Sequence, residues 1–63
     1  MNIKQEIQVM ALEDLYLEAL TENKLNDYPE NYFTNKKLKV LGNPNYQAFT
    51  DNEMKELFNK YLN

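Results

Sequence analysis

The sequence predicts a small, mainly helical single domain spanning residues 1–63: a long N-terminal helix, an irregular or β-hairpin-containing middle, and a short C-terminal amphipathic helix. A three-helix bundle is the alternative. Three observations lead there. Ile3 to about Asn23 is an uninterrupted run rich in good helix formers, with neither glycine nor proline. Two capping-box signatures stand at helix starts, Asn2 with Gln5 and Thr50 with Glu53. Met54, Leu57, Phe58, Tyr61 and Leu62 then recur at the spacing of one helical face.

In the first element, Ala11, Leu12, Glu13, Leu15, Leu17, Glu18, Ala19 and Leu20 supply the helix propensity. At 100° per residue, Ile3, Ile7, Met10 and Leu17 gather on one side of the helix. Leu12, Leu15, Tyr16, Ala19 and Leu20 gather on another. Two apolar stripes need two things to pack on. One is the rest of the chain, and the other is expected to be a second subunit or a partner.

From Thr21 to Pro29 the chain is polar, and Pro29 disfavours helical geometry at Tyr28, so a loop is expected. Asp27 and Glu30 have the shape of a third capping box, which could open a helix ending at Gly42, with Pro44 just beyond. The apolar residues do not support that helix: Tyr32, Phe33, Leu38, Val40 and Leu41 scatter round the wheel. The competing expectation is a strand over 37–41, a turn at 42–45 and a second strand over 46–49, with Leu38 and Val40 sharing a face. A short helix leading into a hairpin-like or extended middle fits best. The last element, from about Asp51 to Leu62, is a short helix that must pack on another, most simply the first.

Composition removes most kinds of chemistry. There is no Cys, His, Ser, Trp or Arg. Ser–His and Cys–His nucleophilic pairs, thiolate or imidazole metal sites and an arginine clamp on phosphate all lack their parts. The single glycine, Gly42, cannot build a phosphate-cradling loop. Carboxylates, lysines and tyrosines could do acid–base work, but so short a chain has little room for a water-excluding cleft. The expectation is a non-enzymatic protein without cofactor or metal. The oxygen-rich stretch Asn23, Asn26, Asp27, Glu30 matches no calcium-loop spacing and reads as a polar loop. Lys4 and Glu6 argue against a signal peptide, and no apolar run reaches membrane-spanning length, so a cytoplasmic protein without membrane contact is expected. The richness in Lys, Asn, Ile and Tyr, residues of AT-rich codons, suggests a low-GC bacterium, its phage or a plasmid as the source.

Charge is segregated. The net charge is −3 overall, with an acidic first half and a middle whose only charges are Lys36, Lys37 and Lys39. Asp14, Glu18 and Glu22 form an i, i+4, i+8 ridge, unfavourable for a helix by about 0.2–0.5 kcal/mol per like-charged pair. Such a ridge would suit an acidic mimic of nucleic acid, although a solvated helix face explains it as well. The lysine run, flanked by Tyr32, Phe33 and Tyr46, is the only candidate nucleic-acid contact. The net negative charge and the absence of arginine weigh against direct binding.

These features favour a small protein-binding modulator, for instance a phage or mobile-element inhibitor that blocks a host protein by covering its surface. The partner is a host protein or a second copy of the chain as a homodimer. The candidate partner-binding residues are Leu12, Leu15, Tyr16 and Ala19 on the second stripe, Asp14, Glu18 and Glu22 on the ridge, and the aromatics Tyr32, Phe33 and Tyr46, since tyrosines are enriched at interface hot spots. A small DNA-associated regulator and a structural homo-oligomer are the alternatives.

Overall fold

The computed structural model describes all 63 residues. Three helices follow one another: α1 (Ile3–Thr21), α2 (Tyr32–Gly42) and α3 (Asp51–Leu62), with a single 3₁₀ turn at Leu25–Asp27. Both expected capping boxes form. Gln5 N–H donates to Asn2 Oδ1 at 2.8 Å while Asn2 N–H donates to Gln5 Oε1 at 3.0 Å. Thr50 and Glu53 make the equivalent reciprocal pair at the start of α3.

The chain runs up, down and up again, with α1 as the shared element. Gln5 reaches the Val40 carbonyl at 2.9 Å and the Tyr16 ring meets Phe33, so α2 lies antiparallel to α1. Lys4 bonds Gln47 just ahead of α3, and Tyr61 near its end donates to Asp14, so α3 returns in the direction of α1. Each of α2 and α3 packs on α1, and they do not pack on each other. The buried set is small: Ile7, Ala11, Leu12, Ala19, Phe33, Val40 and Met54, with the polar Gln5 and Gln8. Leu12, Ala19, Phe33 and Val40 form its centre between α1 and α2.

The two predicted stripes of α1 divide differently from the expectation. Leu12 and Ala19 of the second stripe and Ile7 of the first are buried within the chain. Ile3, Met10 and Leu17, spaced seven apart, face outward together with Leu20.

The expected β-hairpin is absent, and no strand occurs anywhere in the structure. The helical alternative holds over the residues given to the first strand. Val40 is completely buried while Leu38 is 62 % exposed, which a strand placing them on one face could not give. Phe33 and Val40, two turns apart, are the residues α2 buries. Leu38 and Leu41 point away from that contact, which is why the apolar residues scatter on a wheel. Tyr46 and Ala48 do face the core with period two, but their segment has no partner strand. Gln8 takes the partner's place: its Oε1 accepts from Ala48 N–H at 2.7 Å and its Nε2 donates to the Tyr46 carbonyl at 3.4 Å.

The second helix also starts later than the Asp27–Glu30 pattern suggests. Tyr28, ahead of Pro29, is extended (φ −112°, ψ 151°), and Asn31 adopts a left-handed conformation (φ 59°) before α2 begins. At the end of α1, Asn23 takes φ 57°. Lys24 N–H then bonds the Ala19 carbonyl at 2.7 Å and Asn23 N–H the Leu20 carbonyl at 3.3 Å. This is a Schellman ending with asparagine where glycine is usual.

Candidate protein-docking site at the aromatic end

The Schellman turn, Pro29 and the left-handed Asn31 fold residues 22–31 back over α1, and this delivers Tyr28, Tyr32 and Phe33 to Tyr16. Phe33 is the hub. Its ring centroid lies 4.7 Å from Tyr28, 5.1 Å from Tyr32 and 5.8 Å from Tyr16, the last two edge to face. Tyr28 and Tyr32 stand 5.2 Å apart. Such tilted and edge-on geometries are the favourable ones for aromatic pairs. Phe33 is buried, whereas Tyr16 is 42 % and Tyr28 37 % exposed. The hydroxyls of Tyr16, Tyr28 and Tyr32 make no hydrogen bond within the chain, unlike those of Tyr46 and Tyr61. A buried ring therefore rigidifies three partly exposed tyrosines with free polar ends.

Two open grooves flank the cluster. One of about 260 Å³ runs between α1 and α2, past Leu12, Leu17, Thr34 and the Glu13–Lys37 ion pair (3.4 Å). The other, about 410 Å³, lies between Tyr16 and the 25–31 segment, with Glu30 and Asn26 on its rim. Tyr28 also borders a smaller depression of about 120 Å³, with Leu15, Glu18 and Glu22.

The predicted site residues are thus partly assembled and partly dispersed. Tyr16, Tyr32 and Phe33 come together, and Leu15, Glu18 and Glu22 lie beside them next to Tyr28. Leu12 and Ala19 are core residues. Asp14 is held by α3, accepting from the Tyr61 hydroxyl with the Lys60 ammonium 3.9 Å away. Glu22 has Lys24 at 3.9 Å.

Tyr46 sits on the other side of α2, with Lys36. The Lys36 ammonium donates to the Tyr46 hydroxyl at 3.2 Å and lies 5.5 Å from the Tyr32 ring centre. That hydrogen bond raises its pKa. Lys39 stands over the Tyr46 ring at 5.9 Å and Lys37 pairs with Glu13. All three lysines of α2 therefore have intramolecular neighbours.

Tyr28 completes the cluster, although it is not among the partner-binding residues expected from the sequence. Its signal was positional: an aromatic placed ahead of a proline between two helices is brought back onto the pair. No helix is long and apolar enough to cross a membrane. No family model matches the sequence, and no curated protein and no solved structure shows significant similarity to it.

Proposed function

We propose that this chain is a non-enzymatic protein-binding module, a small modulator that acts by covering a partner's surface with its aromatic end. One observation carries the reading: three tyrosines with unbonded hydroxyls are held rigid around a buried phenylalanine. Rigid tyrosines give large contact area at low entropic cost, and their hydroxyls add directional bonds. Glu18, Glu22 and Glu30 border the same surface, which suits a partner with a basic rim. With Asp14 engaged by α3, the acidic ridge retains Glu18 and Glu22 as its outward members, so the tyrosines rather than the ridge lead the reading.

The test is affinity capture from nuclease-treated bacterial lysate, with the wild type and a Tyr16→Ala/Tyr28→Ala variant as parallel baits. The expected outcome is a defined protein retained by the wild type and lost from the variant, with both baits showing the same helical circular dichroism. Equal retention by both, or recovery of nucleic acid alone, overturns the proposal.

A further inference from the structure

We infer that the aromatic end takes a proline-rich segment of its partner, extended as a left-handed polyproline helix and carrying a basic residue beside the prolines. The inference rests on the reading of this end as a docking site, and it names the chemistry of what docks there.

Shape is the first ground. Tyr16 and Phe33 stand edge to face, 5.8 Å apart between centroids, and both line each of the two grooves. They are the common wall between a groove of about 260 Å³ and one of about 410 Å³. A polyproline helix repeats every three residues, about 9 Å, so successive turns present the same side chains to a surface. Two adjoining seats divided by one aromatic wall suit such a repeat, and aromatic-lined grooves are where proline-rich segments dock.

Hydrogen bonding is the second. A polyproline helix makes no internal hydrogen bonds, so its carbonyls are free acceptors, and proline brings no N–H to be matched. The receiving surface must therefore supply donors. Tyr16 and Tyr28 both line the larger groove, and their hydroxyls bond to nothing within the chain. Phe33 fixes both rings, at 5.8 and 4.7 Å, so the donors are positioned before anything binds.

Charge is the third. Glu30 lines the larger groove without a cationic partner in the chain, whereas Glu13 in the smaller one is paired with Lys37. A lysine or arginine next to the prolines finds its counter-ion at Glu30.

Other kinds of segment fit worse. An added strand has no sheet edge to join. A phosphorylated segment meets an acidic rim and a chain without arginine. A helix offers no free carbonyls to the tyrosines, and its apolar stripe would lie on Asn26, Glu30, Asn31 and Thr34 and strip them of water.

Fluorescence anisotropy of a labelled decaproline with an arginine at each end, titrated with the full chain, tests this. Saturable binding is expected. Tyr16→Phe/Tyr28→Phe, which removes only the hydroxyls, should weaken it roughly tenfold with unchanged helical circular dichroism. Glu30→Gln should weaken it several-fold, and a glutamate-flanked decaproline should not bind. No saturable binding by the wild type, a Phe variant that binds as well, or equal binding of an arginine-flanked polyalanine helix overturns the inference. If the lysate experiment still yields a partner that depends on Tyr16 and Tyr28, the docking reading stands and this inference alone falls. If it yields none, both fall.

Discussion

The Gln8 side-chain amide accepts from Ala48 N–H at 2.7 Å and donates to the Tyr46 carbonyl at 3.4 Å, so one buried glutamine of α1 stands in for an entire neighbouring strand. The extended segment between α2 and α3 thereby has its inward-facing backbone groups satisfied without any sheet, as buried groups require. Gln5 does the same for α2. Its Nε2 bonds the Val40 carbonyl while its Oε1 closes the α1 capping box.

Gln8→Ala should therefore destabilise the chain by about 2–6 kcal/mol, since it strands one donor and one acceptor at roughly 1–3 kcal/mol each. Gln8→Glu keeps the acceptor for Ala48 but loses the donor and buries a charge, so it should be no better. Urea unfolding gives both values. Exchange of the Ala48 amide in Gln8→Ala should approach that of an open loop. A protected Ala48 amide in that variant would show that the clip is dispensable.

Val40 and Leu38 separate the helical and strand readings of the middle in energetic terms. Val40 is fully buried and Leu38 is 62 % exposed. Val40→Ala should cost on the order of 2 kcal/mol through lost transfer energy and a cavity. Leu38→Ala should stay within about 0.5 kcal/mol, as surface changes do. Similar costs at both positions, measured by the same unfolding experiment, would contradict the helical register of α2.

The contrast explains what could be read in the sequence. α1 and α3 were legible because their signals are local: a capping box at each start and, for α3, one continuous apolar face. α2 was not, because it buries only Phe33 and Val40 and turns Leu38 and Leu41 outward, so its wheel carries two unrelated patterns. The glutamine clips were invisible for another reason: their partners are backbone groups 35 to 40 residues away, which no side-chain pattern announces. The candidate site shows the same division. The richness of residues 28–49 in aromatics was plain, but the gathering of Tyr28, Tyr32 and Phe33 on Tyr16, and the separation of Tyr46 from them, depend on the turns at Asn23 and Asn31.

Asn23 offers a direct probe of the first of those turns. It ends α1 at φ 57°, where a Cβ is unfavourable and only glycine is free of strain. Asn23→Gly should stabilise the chain by a few tenths of a kcal/mol up to about 1 kcal/mol. Asn23→Ala should destabilise it by about 1 kcal/mol, because alanine tolerates this conformation less well than asparagine. Thermal unfolding ranks the three. Alanine at or above wild type would mean that the left-handed turn is not kept in solution.

Tyr61 should give the chain an alkaline limit. Burial, followed by its hydrogen bond to Asp14 and the charge of that carboxylate, pushes its pKa up to about 12 from the ordinary 10. The folded state thus holds the phenolic proton more tightly than the unfolded chain. Its contribution is complete below pH 10 and is lost as pH rises through about 12. The Lys36 ammonium, whose pKa is raised by its bond to Tyr46, acts in the same direction. Tyr61→Phe isolates the tyrosine's share. Stability measured from neutral to strongly alkaline pH should fall less steeply in the variant, and the phenolate absorbance that the wild type shows and the variant lacks should develop around pH 12. Identical alkaline slopes in the two proteins would show that Asp14 does not hold the Tyr61 hydroxyl, and would release Asp14 to the outward acidic ridge.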